Sequence, residues 1–316
     1  MRPLLPLLTS AALALSCVSA CAGQEPAPAG FTVTNCGAQV SFDRPPERIV
    51  LLHSAPVPFL HRLGVMDAVV ARAGHYPDAY YDEATRAELA AIPVLTERTD
   101  SSGHLQISRE VVLAQRPDLV LGVADTLDRA TLAASGVPLL QEPALCEGGG
   151  GEVRLQDVAA QMEFYGRVLG RQEQAGVAAR ELTERFAALR REASGRTAAV
   201  LYPTIGGGVT YAYGTGSTAH PQLEAAGFTN VFSDVSDRVF EVTREELLVR
   251  NPDVLVLLHS DGDPAAVVEA VASAPGAQSL TAVRSGAVLP LLFNFTEPPT
   301  PLALEGLDRI VERFGR

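Results

Sequence analysis

Ten imidazole and phenol side chains, His53, His75, Tyr76, Tyr80, Tyr81, His104, Tyr202, Tyr211, Tyr213 and His220, fall in or beside segments that read as loops. Imidazole and phenolate can ligate a transition metal such as iron directly, whereas a phenol ring can pack on an organic chelate and hydrogen-bond to it. Arg238 adds a positive charge that can meet an anionic ligand, or simply pair with Asp234 or Asp237. The candidate ligand-binding residues are therefore His53, Tyr76, His104, Tyr202, Tyr211, Tyr213, His220 and Arg238, with His53 and Tyr213 foremost. Each has a plainer role as well, a Tyr as a packing residue with a wetted hydroxyl and a loop His in solvent. Catalytic chemistry finds less support. Ser217 with His220 is not set in a Gly-x-Ser-x-Gly elbow, and the turn Gly214-Thr215-Gly216-Ser217 lacks both the dinucleotide fingerprint and a following Walker lysine.

The elements that must position these side chains alternate between strand and helix patterns. Arg48-Ile49-Val50-Leu51-Leu52 reads as a strand, Pro58 to Leu63 as a helix stopped by Gly64, and Ala68 to Ala71 and Pro117 to Gly122 as further strands. The second half repeats the scheme, with Ala198 to Tyr202 and the nearly continuous apolar run Pro252 to Leu258 as strands. Such alternation predicts parallel βαβ units. The expected fold class is α/β, two Rossmann-like lobes with parallel sheets joined by one long α-helix. Gln172 to Ala193 supplies that helix, with Val177, Leu182, Phe186 and Leu189 near a helical period. The predicted limits are 31–154 for the first lobe, 155–195 for the connection and 196–316 for the second lobe. The loops at the carboxyl ends of the strands then face one another, and a ligand site is expected between them.

The net charge of −12 and the absence of any Lys among the 25 basic residues argue against a surface that tracks nucleic-acid phosphates. Arg2, the apolar stretch Leu4 to Leu15 and the small residues Ser16 to Ala20 read as an export signal over residues 1–20. Val18-Ser19-Ala20-Cys21 resembles a bacterial lipobox, which makes Cys21 the expected lipid anchor; an ordinary secretory signal cut nearby is the alternative. Residues 21–30 follow as a tether containing Pro26 and Pro28. Cys36 and Cys146 then form an even pair in an oxidising compartment, so a disulfide is expected over two free thiols.

The most informative pattern is internal. Ile107 to Val120 matches Val242 to Leu255: a hydroxylated N-cap (Ser108, Thr243), an acid two residues on (Glu110, Glu245), one apolar helix face, then Pro-Asp leading into a strand. With Pro45-Pro46-Glu47-Arg48-Ile49-Val50, Leu63-Gly64-Val65, Ala226-Gly227-Phe228-Thr229-Asn230-Val231 and Leu280 to Gly286, the mature chain resembles the extracytoplasmic solute-binding proteins of ABC importers for ferric siderophores, haem and cobalamin. The resemblance implies a monomeric binding protein with no intrinsic cofactor that passes its ligand to a permease with its ATPase. It also implies that Glu110 and Glu245 meet an Arg cluster on that permease. An iron chelate is the expected ligand, and haem or cobalamin the alternative, the lack of Trp weighing somewhat against cobalamin. A non-transporting surface sensor on the same scaffold remains a rival.

Overall fold

The structure is a computed structural model describing residues 30–100, 104–146, 153–206, 208–260 and 262–315. The expected export signal and lipid anchor Cys21 lie outside the described residues. A hairpin comes first, β1 (Phe31–Asn35) paired antiparallel with β2 (Ala38–Phe42) across a turn at Cys36-Gly37. The first βα series follows: β3 (Ile49–Leu51), α1 (Val57–Arg62), β4 (Val69–Ala73), α2 (Glu83–Ala91), β5 (Val94–Thr96), α3 (Arg109–Leu113), β6 (Leu119–Leu121), α4 (Arg129–Ala133) and β7 (Leu139–Leu140). Its five strands are all parallel, in the order β5-β4-β3-β6-β7.

Two helices, α5 (Asp157–Val168) and α6 (Gln172–Leu189), lead to the second series. This comprises β8 (Thr197–Pro203), β9 (Thr210–Tyr213), α7 (Ala219–Ala225), β10 (Thr229–Asn230), β11 (Val239–Val242), α8 (Arg244–Arg250), β12 (Val254–His259), α9 (Pro264–Ala272), α10 (Thr281–Ser285), β13 (Val288–Leu292) and α11 (Pro301–Phe314). Here β10, β8, β12 and β13 run parallel, while β9 and β11 form an antiparallel edge on β8. Gly206 and Gly208 bend the chain back so that β9 pairs antiparallel with β8, a connection with no helix to signal it, and β11 then extends the sheet.

The internal repeat has a physical basis. Ser108 Oγ accepts from Val111 N and Thr243 Oγ1 from Glu246 N, so each hydroxyl satisfies a free amide at a helix start. Just before each proline the chain turns through positive φ, at Arg116 (50°) and Asn251 (40°). Each Pro-Asp carboxylate then seizes the amide that opens the neighbouring first strand. Asp118 accepts from Arg48 N at 2.7 Å, and Asp253 accepts from Thr197 N at 2.8 Å.

Both sheets are buried on two faces, as parallel strands under helices must be. Ile49 and Leu51 point into one apolar core and Val50 and Leu52 into another; Val200 and Leu201 divide in the same way. The largest core runs through both series, joining Leu51 and Phe59 with α6 residues Leu182 and Phe186 and with Leu304 and Phe314 of α11. α6 stops at Leu189, earlier than the apolar period indicated, because the following backbone is taken up elsewhere: Arg191 N donates to Ala225 O and Ser194 N to Gly227 O. Cys36 and Cys146 are joined as a disulfide, with Cα atoms 5.3 Å apart, which ties the entry hairpin to the segment after β7. By the chain-entropy account such a link contributes about 4–5 kcal/mol.

Candidate functional site

In the first sheet the strand order reverses between β3 and β6, and in the second between β8 and β12. At such switch points the connecting helices leave to opposite faces and open a crevice at the carboxyl ends of the strands. His53 leaves β3 beside Gly122, which leaves β6; a Cβ on residue 122 would collide with the imidazole edge, so only glycine lets the ring settle there. Burial lowers the His53 pKa to about 4, leaving a neutral imidazole at neutral pH that can accept a hydrogen bond or a metal. At the second switch point, the hydroxyls of Tyr202 and Ser260 lie 2.8 Å apart. The Tyr202 ring stands edge-on to Phe293, centroids 6.0 Å apart.

The two halves touch at this level. Tyr80 Oη accepts from Asn294 N at 2.9 Å, and Asn294 Nδ2 donates to Ser54 Oγ at 3.3 Å. The Tyr80 ring also meets Phe295 edge-on, with centroids 5.2 Å apart. Tyr213 is buried and, like Tyr202 and Tyr211, projects from one face of the β8–β9 ladder, where Tyr202 and Tyr211 are direct partners. Burial raises the phenol pKa of both Tyr80 and Tyr213, and neighbouring Tyr202 raises each further. Tyr80 and Tyr213, protonated and therefore able to donate, thus lie with Tyr202 near the contact between the halves.

Beside them sits a buried ion pair. Glu297 has no solvent exposure, accepts from Thr218 N at 2.6 Å through Oε1, and receives Arg238 Nη1 at 2.8 Å on Oε2. Burial pushes its pKa up; Arg238 and the amides of Thr218 and Ala219 pull it back. The turn Gly214 to Ser217 explains itself from this packing. A Cβ at Gly214 would collide with Val235 O and Asp237 O, and one at Gly216 would lie 2.7 Å from Ser236 O. The glycines therefore let the chain's own 235–238 segment approach. Ser217 is fully buried and its Oγ donates to Gly214 O at 2.8 Å.

Of the candidates, Tyr202, Tyr213 and Arg238 come together, His53 occupies the switch point of the first sheet, and Tyr211 is exposed on β9. Others lie apart. Tyr76 turns inward, its hydroxyl donating to Ala73 O at 3.1 Å and its face covered by Arg72. His220 lies along α7, Nε2 3.4 Å from Glu224. His104 is exposed, 3.5 Å from Asp125 and 4.0 Å from Asp100. Arg238 pairs with neither aspartate proposed for it, since Asp234 is held by Arg250 at 2.7 Å. Glu297, Asn294 and Ser260 were not foreseen. Their only sequence signal is position, just beyond β13 or β12 in loops that a switch-point rule already marks. Glu110 and Glu245 are exposed in the first turns of α3 and α8.

Two α/β halves of one design that meet through the loops beyond their strands form the architecture of a solute-binding protein. The comparisons agree: the family model for periplasmic binding proteins matches residues 49–291, and the chain belongs to that family. A crystal structure of an ABC-type Fe3+-hydroxamate transport system from Saccharomonospora viridis is 58% identical, with TM-score 0.86, covering 90% of this chain and 99% of that one. The cobalamin-binding protein of Halobacterium salinarum is 26% identical over 299 residues, 90% of this chain and 74% of that protein. The apo periplasmic haem-binding protein from Roseiflexus sp. RS-1 shares the fold, at 21% identity and TM-score 0.66 over 85% of this chain and 97% of that one. The protein is thus a periplasmic binding protein of the iron-chelate, haem and cobalamin type, a class that works outside the cytoplasm and hands small molecules to a permease.

Proposed function

We propose that this protein captures a ferric siderophore, of the hydroxamate type, between its lobes and delivers it to an ABC permease. The observation that carries the reading is the convergence of Tyr80, Tyr202 and Tyr213 with Arg238 where the halves meet, a set of donors suited to the oxygen-rich outer surface of a chelate. The relative from Saccharomonospora viridis supports the same ligand class. Residues 31–154 and 196–316 serve as the lobes and 155–195 as their connection. Cys21 carries the lipid that holds the monomer at the membrane surface, two acyl chains giving firm attachment. Haem is the second reading and rests on His53, whose neutral imidazole can ligate its iron.

Titration of the mature protein with ferrichrome, haem and cobalamin, followed by Tyr fluorescence and visible absorbance, tests the proposal. Saturable submicromolar quenching by the ferric chelate is expected. A shifted haem band that disappears in His53→Ala would move the assignment to haem, and binding of none of the three would overturn it. Glu110 and Glu245 act on the permease side, as exposed acids at helix starts remain free to meet external Arg. Glu110→Ala with Glu245→Ala should abolish uptake while chelate affinity stays within about twofold; lost affinity would refute that role.

A further inference from the structure

Arg238 sits beside Tyr213 in the second half with a counter-charge already built in. Glu297 is fully buried, both of its oxygens accept from N–H donors, and those donors are fixed: Thr218 N at the start of α7 and Nη1 of Arg238. Two acceptor roles on one group are those of an ionised carboxylate. Arg238 keeps a quarter of its side chain exposed, and its Nη2 and Nε remain as donors beyond the bond to Glu297. The wall therefore offers hydrogen bonds without offering net charge. Tyr213 alongside, protonated because burial and Glu297 both raise its pKa, adds another neutral donor.

We propose that Glu297 is the residue that sets charge selectivity for the chelate: it holds Arg238 as a charge-compensated donor, so that this wall accepts neutral oxygen atoms and disfavours an anionic ligand. The physical ground is that an Arg facing an anion is strongly attractive in a poorly solvated cleft only when no carboxylate shares it, and a second anion brought to a shared Arg is repelled by the first at short range. A ferric trihydroxamate is neutral overall and presents carbonyl-type oxygens, whereas a ferric tricatecholate carries three negative charges. Glu297 acts through Arg238 and need not touch the ligand, so it is a positioning residue. The proposal rests on the reading of the ligand as a ferric chelate and adds which chelates are admitted.

The test compares dissociation constants for ferrichrome, a neutral ferric trihydroxamate, and ferric enterobactin, a trianionic tricatecholate, on the wild-type mature protein and three variants. Wild type should prefer ferrichrome. Glu297→Gln frees the charge of Arg238 and should shift the affinity ratio at least tenfold toward ferric enterobactin, whereas Arg238→Met leaves the carboxylate alone and should shift it the other way. Combining the two substitutions removes both charges and should bring the ratio back to within about threefold of wild type. A purely structural role predicts parallel losses for both chelates in every variant, and that result would overturn the proposal. So would a wild-type preference for ferric enterobactin, which would leave the broader iron-chelate function standing. Failure of wild type to bind either chelate would instead refute the function itself. If Glu297→Gln does not fold, the direction of the Arg238→Met shift and the ratio in the double variant decide the matter.

Discussion

The molecule buries a glutamate in each half, and the two are handled differently. Glu142, just after β7, has only neutral partners among its hydrogen bonds: the Tyr165 hydroxyl at 2.6 Å and Gln161 Nε2 at 3.5 Å. Burial raises its pKa from 4.5 to about 7. Glu297, equally buried, is given a guanidinium and two helix-start amides that work against the same desolvation. The Glu142 carboxyl near α5 can remain a neutral hydrogen-bonding group for much of the accessible pH range, whereas Glu297, whose pKa burial also raises, is given a cation and amides that oppose the rise. The two halves repeat one scaffold, yet their loops give the same residue type different partners.

The comparison is sharpened most by pH. Because the native state binds the Glu142 proton more tightly than the unfolded chain does, its stabilising contribution is complete below about pH 4.5 and is lost as pH rises toward 7. The loss is on the order of 3 kcal/mol. Glu142→Gln, which keeps an acceptor for Tyr165, should not lose it. Urea melts from pH 4.5 to 8 should show the variant gaining on wild type as pH rises, and parallel curves would mean that Glu142 is more hydrated than its burial indicates. The contrasting variant is Arg238→Met. It leaves Glu297 buried without its cation and should cost about 2–3 kcal/mol at neutral pH, toward the low end for a broken buried pair because Arg238 is partly solvated. Adding Glu297→Gln should recover most of that loss.

Sequence alone displayed the repeat and hid this difference. Ser108 and Thr243, Glu110 and Glu245, and the two Pro-Asp steps are local signals, because a cap or a strand start is decided within a few residues. The paired cysteines were readable for another reason: compartment chemistry restricts what two thiols do. Glu297 was not readable, since its partners Thr218 and Arg238 are 79 and 59 residues away along the chain. Tyr76 misled because a Tyr next to a strand end has the same local pattern whether it faces a crevice or, as here, folds back onto Ala73. The antiparallel pair β9 and β11 was hidden by glycines that mark a turn but not its outcome.

The repeat offers a point where the halves should behave alike. Asp118→Ala and Asp253→Ala each remove a carboxylate that accepts a strand-opening amide, 2.7 Å from Arg48 N in one case and 2.8 Å from Thr197 N in the other. Each should cost about 2 kcal/mol, given that hydrogen bonds to charged groups contribute roughly 1.5–3 and these sites are partly solvated. Chemical denaturation of the two variants should give losses within about 1 kcal/mol of each other. A large inequality would show that one sheet depends on its Pro-Asp step far more than the other does.

The smallest expected effect tests whether the halves are coupled at all. Tyr80 lies in the first series and Asn294 in the second, and the amide of Asn294 donates to the phenol oxygen at 2.9 Å. Tyr80→Phe removes that acceptor while keeping the ring that packs against Phe295. The cost to global stability should be about 1 kcal/mol. The largest apolar core passes through both series, so losing one hydrogen bond should not free the lobes to swing apart. Small-angle scattering of ligand-free Tyr80→Phe should therefore match wild type, while hydrogen exchange at the Asn294 amide should accelerate. An expanded scattering profile would instead identify the Tyr80–Asn294 contact as the latch that sets how far this protein opens.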